Sequence, residues 1–89
     1  MDVNILKAIY DSGLIYVYLV ELISSDTNFT NEEREEHIKQ ASELYGIAGD
    51  KNLTTWLPDK DRRRIRKHCK QTIKVLTKEI EETNNGNIN

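Results

Sequence analysis

The sequence predicts an all-α fold, a three-helix bundle over about 2–24, 30–48 and 58–83 with a frayed C-terminal tail. Three observations lead there. One proline and four glycines in 89 residues leave few interruptions to regular structure. Apolar side chains recur at helical spacings of three and four in two long segments. Residues in AVILMFWYC make up 37% of the chain and charged residues 31%, a balance that suits a folded globule.

A chain of this length makes one domain, assigned to 1–83 with 84–89 as a disordered tail. That tail is polar, contains glycine and has no periodicity. The first helix is placed over 2–24. Its alternative over 14–20 (LIYVYLV) is a strand, because β-branched and aromatic residues dominate and Asp11-Ser12-Gly13 would serve as the turn before it. No second strand-like run exists to pair with it. The second helix opens at Thr30, whose hydroxyl can cap the first turn while Glu33 reaches back to the cap's own N–H. It is expected to end at Gly46 or Gly49 in a left-handed cap. The third starts at Pro58 or Asp59, since proline's missing N–H is not needed at a helix start. Trp56 is expected to pin the 50–57 link onto the helices.

At 100° per residue the third helix carries Ile65, Cys69, Ile73, Leu76 and Ile80 in one stripe. Opposite runs a cationic ridge, Lys60, Arg63, Lys67, Lys70, Lys74 and Lys78, spanning roughly 27 Å at 1.5 Å per residue. Arg62 and Arg66 border it. The second helix buries Ile38, Ala41, Tyr45 and Ala48 and turns out Glu32, Glu36, Lys39 and Glu43, an acidic face on balance. The first is apolar all round, with nine apolar residues among the ten of 14–23. Two neighbouring helices cannot cover it, so Leu14 and Tyr18, with Ile15 and Leu22 beside them, are expected to form an interface with another protein or a second copy. The competing expectation is that the 50–57 link folds back over them.

Charge is distributed unevenly. Residues 1–57 carry four basic and ten acidic side chains, whereas 60–78 carry nine basic and one acidic. Such a ridge suits nucleic acid, a nucleotide's phosphates, an acidic protein, or the acidic face of the second helix. Its lysines offer little base reading, and no aromatic residue interleaves them.

Catalytic signatures are absent. Cys69 lies within an apolar stripe and adjoins His68 at an angle that prevents a good hydrogen bond. Glu33 and His37 supply two metal ligands at most, without HExxH or CxxC. The carboxylates of EEREE (32–36) sit where a helix start favours negative charge, and GIAG (46–49) lacks the lysine or third glycine of nucleotide loops. A single cysteine excludes an internal disulfide framework. The longest apolar run is seven residues, short of a membrane span, and MDVNILK lacks a basic n-region and cleavage site. The expectation is a small, non-enzymatic, cytoplasmic protein with no cofactor, no metal and no membrane partner. It would be homo-oligomeric, as a dimer, and would act as a regulator, adaptor or inhibitor by stoichiometric binding; the alternative is phosphate or nucleic-acid binding through the ridge.

Overall fold

A computed structural model describes the backbone of residues 1–23 and 29–88 and the side chains of 1–23 and 29–84. The described residues are all-α, in four helices: α1 (Val3–Asp11), α2 (Ile15–Glu21), α3 (Asn31–Gly49) and α4 (Asp59–Ile88). The helix expected over 2–24 is therefore two helices, and Ser24 lies outside the described residues.

The break between them is local chemistry. Gly13 has φ +78°, the one positive φ among the described residues. Its N–H donates to the Tyr10 carbonyl at 3.0 Å, and the Leu14 N–H donates to the Ile9 carbonyl at 3.1 Å. This pair of bonds closes a Schellman motif with Gly13 in the left-handed position. Ser12 Oγ also donates to the Ile9 carbonyl, at 2.7 Å. The chain direction then turns by 110° into α2. At the other end of α1 the Asp2 carboxylate caps the helix by accepting from the Asn4 N–H at 2.7 Å.

α3 opens with the expected capping box. Thr30 Oγ1 accepts from the Glu33 N–H, and Glu33 Oε1 accepts from the Thr30 N–H, both at 3.1 Å. It does not end in a left-handed glycine. The helix runs through Gly46 to Gly49, and Asp50 caps it in extended conformation with φ −90° and ψ 101°. α4 starts as expected, with the Pro58 carbonyl accepting from the Arg62 N–H at 2.9 Å. It continues past Thr83 to Ile88, so residues 84–88 are helical rather than a frayed tail; Asn89 lies outside the described residues. Extending an established helix adds a hydrogen bond for each residue fixed and escapes the nucleation penalty. Asn31 Nδ2 on α3 also donates to Asn84 Oδ1 at 3.3 Å.

α3 and α4 pack side by side as the scaffold, and α1 and α2 close over it. One core results, built from Leu6, Ile15, Leu19, Leu22, Ala41, Leu44, Ala48, Leu57, Ile65 and Cys69. α4 has 30 residues, about 45 Å at 1.5 Å per residue, and accounts for most of the 50 Å long axis. Ile73 and Ile80 are only half-buried, while Thr72, one residue before Ile73, is buried and donates its hydroxyl to the His68 carbonyl at 2.9 Å.

The 50–57 link is ordered by its polar groups. Asp50 Oδ1 accepts from the N–H groups of Asn52 and Leu53 at 2.9 and 3.2 Å. Trp56 packs on Tyr10 of α1 with ring centroids 5.5 Å apart, and the Tyr10 hydroxyl donates to Asp61 of α4. The link thus pins the end of α1 but does not cover Leu14, which remains 55% exposed.

Candidate functional site

Restarting the helix after Gly13 resets which residues of α2 face inward. Ile15, Leu19 and Leu22, spaced four and three, enter the core at 2, 2 and 4% exposure. Ile15 and Leu22 are therefore core residues of this chain and not part of an outer surface, contrary to expectation. Tyr18 is half-buried over α3, where its hydroxyl donates to Gln40 Oε1 at 3.2 Å and burial raises its pKa. Leu14 is exposed as expected. Its companions are Val17 and Val20, 51 and 58% exposed. At spacings of three, these residues form one apolar strip down the outside of α2. The valines could have been found from sequence by taking Asp11-Ser12-Gly13 as the end of a helix.

A separate cleft of about 370 Å³ lies between α1 and α3, lined by Ile5, Ile9, Tyr18, Lys39, Gln40 and Glu43, among others. Met1 also lines it and donates through its amino group to Glu43, which holds that carboxyl below its usual range.

The second surface is the outer side of α4. Lys60, Arg63, Lys67, Lys70, Lys74 and Lys78 are all exposed. Among the described residues none forms an ion pair with a carboxylate. Within the chain, the acidic face of α3 does not pair with the ridge among the described residues. The ion pair joining α3 to α4 runs in the opposite sense, from Arg34 Nε to Glu79 Oε2 at 3.2 Å. Two shallow clefts follow the ridge and share Lys67 and Lys70. One, of about 280 Å³, adds Tyr45, Arg63 and Arg66; the other, of about 480 Å³, adds Gln71, Lys74, Val75 and Lys78.

The two bordering arginines behave differently from that row. Arg62 is 7% exposed and spends its guanidinium inside the protein. Nη1 donates to the Ala48 carbonyl at 2.6 Å and to Thr54 Oγ1, and Nη2 donates to the carbonyls of Thr54 and Leu57 at 2.9 and 3.0 Å. Arg62 is thus removed from any external binding surface. Arg66 lies over the Tyr45 ring at 4.0 Å. A Cβ on Gly49 would stand 3.0 Å from its guanidinium carbon, so the glycine makes the space that Arg66 fills.

The remaining reactive groups are engaged in packing. Cys69 is fully buried, and burial pushes its thiol up to about 12, so it is no nucleophile at neutral pH. His37 Nδ1 donates to the Leu22 carbonyl at 3.0 Å, and its ring stands edge-on to Phe29 at 4.7 Å. His68 rests against Tyr16 at 5.6 Å. Among the described residues no three metal-ligating side chains come together, and no single helix is long and apolar enough to cross a membrane.

No protein-family model, curated protein or solved structure matches this chain.

Proposed function

We propose that the protein is a small interaction module without catalytic activity, a homo-oligomeric regulator whose α2 face pairs with a second copy of the same chain. The observation that supports this reading is the exposure of Leu14, Val17 and Val20 on one side of α2. Each is about half exposed, so roughly half of the 1.5–3 kcal/mol that full burial of such a side chain returns is still to be gained. In a twofold contact every residue counts twice. Association itself costs about 4–15 kcal/mol, so the pairing is weak and depends on concentration.

A second copy is the occupant because these three side chains carry no charge. The strip can therefore meet itself without like-charge repulsion, whereas the outer side of α4 cannot. The test replaces Val17 with Glu and Val20 with Lys. Both positions are exposed, and both replacements favour helix more than valine does. The variant should keep the helical circular dichroism of the unaltered chain and run as a monomer at concentrations where the unaltered chain runs heavier. An unchanged mass in the variant would refute the proposal.

A further inference from the structure

The outer side of α4 is a second, separate surface with a different chemistry. Arg63, Lys67, Lys70, Lys74 and Lys78 stand in a line, exposed and without carboxylate partners among the described residues. The line is bounded in sequence. Asp59 lies before it and contacts Lys51 and Arg62, and Glu79, Glu81 and Glu82 follow Lys78. Its upper end is fixed, because Arg66 is held between the Tyr45 ring and the bare Cα of Gly49.

We infer that this ridge binds double-stranded nucleic acid through the phosphate backbone, without reading sequence. The choice of ligand follows from the arrangement. The cations are strung along the helix and do not converge on one point, which suits an extended polyanion better than a free phosphate or nucleotide. From Arg63 to Lys78 the line covers roughly 23 Å at 1.5 Å per residue, between six and seven base pairs at about 3.4 Å each. Single strands are held by stacking bases on open aromatic faces. Tyr45, the aromatic residue in these clefts, is instead covered by Arg66 at 4.0 Å and approached by Lys70 at 5.7 Å. Base-edge reading calls for several bidentate side chains in a groove; the clefts hold one amide, Gln71, and two arginines, Arg63 and Arg66, the second stacked on Tyr45, and the rest of the line is lysine. Arg62 takes no part, because its guanidinium is occupied inside the protein.

The test is fluorescence anisotropy of a labelled DNA duplex of about 20 base pairs, long enough to cover the ridge. Five phosphate contacts, one for each cation of the line, give a logarithmic salt slope of about −4.5, so affinity should fall about five-hundredfold between 50 and 200 mM salt. Lys67→Glu, Lys70→Glu and Lys74→Glu together should abolish binding with the helical content unchanged. Lys39→Gln with Lys51→Gln, which neutralises cations outside the ridge, should weaken binding far less than the ridge variant, because the contacts to phosphate are kept. The Val17→Glu, Val20→Lys variant should still bind, which separates this surface from the strip on α2. Absence of binding at low salt overturns the inference. So does equal binding of a single strand of the same length, or displacement of the duplex by an equal charge of polyglutamate, which would make the ligand an acidic protein.

Discussion

Arg62 Nη2 donates to the backbone carbonyl of Thr54 at 2.9 Å, while Nη1 of the same guanidinium reaches the Thr54 hydroxyl. That hydroxyl in turn donates to the Asp50 carbonyl at 2.7 Å. Thr54 is wholly buried and Arg62 nearly so. One arginine therefore ties together the end of α3, the connecting link and the start of α4, using the fork geometry that a lysine lacks.

Removing that fork should be the most damaging change available among the cations of α4. Arg62→Ala takes the side-chain donor from the carbonyls of Ala48, Thr54 and Leu57, of which Thr54 keeps the Leu57 N–H at 3.0 Å. The expected loss is roughly 3–5 kcal/mol of unfolding free energy in a urea titration. Arg62→Lys should lose most of the same amount. Arg63→Ala, at an exposed position one residue on, should stay within about 0.5 kcal/mol. An Arg62→Ala variant as stable as the unaltered chain would show that the link holds by other means.

Two glycines should respond with opposite signs. A Cβ on Gly46, in the last turn of α3, meets nothing within 4 Å, so Gly46→Ala should stabilise the fold by up to about 0.5–1 kcal/mol. Gly13 also has open space, but its φ of +78° is strained for any L side chain. Gly13→Ala should therefore destabilise by about 1–2 kcal/mol. Thermal melting separates the cases, at about 4–8 °C for each kcal/mol in a domain of this size.

Much of this architecture is legible in the sequence where a signal is local. The Thr30–Glu33 capping box, the start at Pro58, the inward stripe around Ile65, Cys69 and Leu76 and the anchoring of Trp56 all follow from side-chain chemistry within a few residues. The break at Gly13 is harder to read, because the apolar pattern continues on both sides of it. Asp11-Ser12-Gly13 is a weak stop signal within that pattern, and the backbone bonds from Gly13 and Leu14 decide that the helix stops. Its consequence was large, since the new phase sends Ile15 and Leu22 inward and Val17 and Val20 outward. Arg62 carried a sign that a charge count hides: it lies three residues before Ile65, one turn back on the apolar stripe. Its partners are carbonyls of the preceding helix and link, which no pattern of charges on α4 reveals.

Alkaline pH should weaken the fold through Cys69 and Tyr10. Burial raises the Cys69 thiol from 9.0 to about 12, and the hydrogen bond to Asp61 raises the Tyr10 phenol from 10.0 to about 12. For both groups the folded pKa lies above the unfolded one, so their full contribution is present below about pH 9 and is lost as pH rises toward 12. Cys69 alone should steepen the loss by about 1.4 kcal/mol per pH unit within that window. Urea midpoints should stay level from pH 7 to 8.5 and fall above pH 9, and Cys69→Ala should flatten part of the decline. At pH 8 a thiol reagent should label Cys69 only as fast as the protein opens; immediate labelling would place the thiol at the surface.

The central claim, that the outer strip of α2 joins two copies of this chain, is tested most directly by sedimentation equilibrium of the unaltered protein over a wide concentration range. The expected result is a mass that climbs from one chain toward two with rising concentration and does not pass two, because a twofold contact uses up the strip on both partners. A mass that stays at one chain up to millimolar concentration would contradict it.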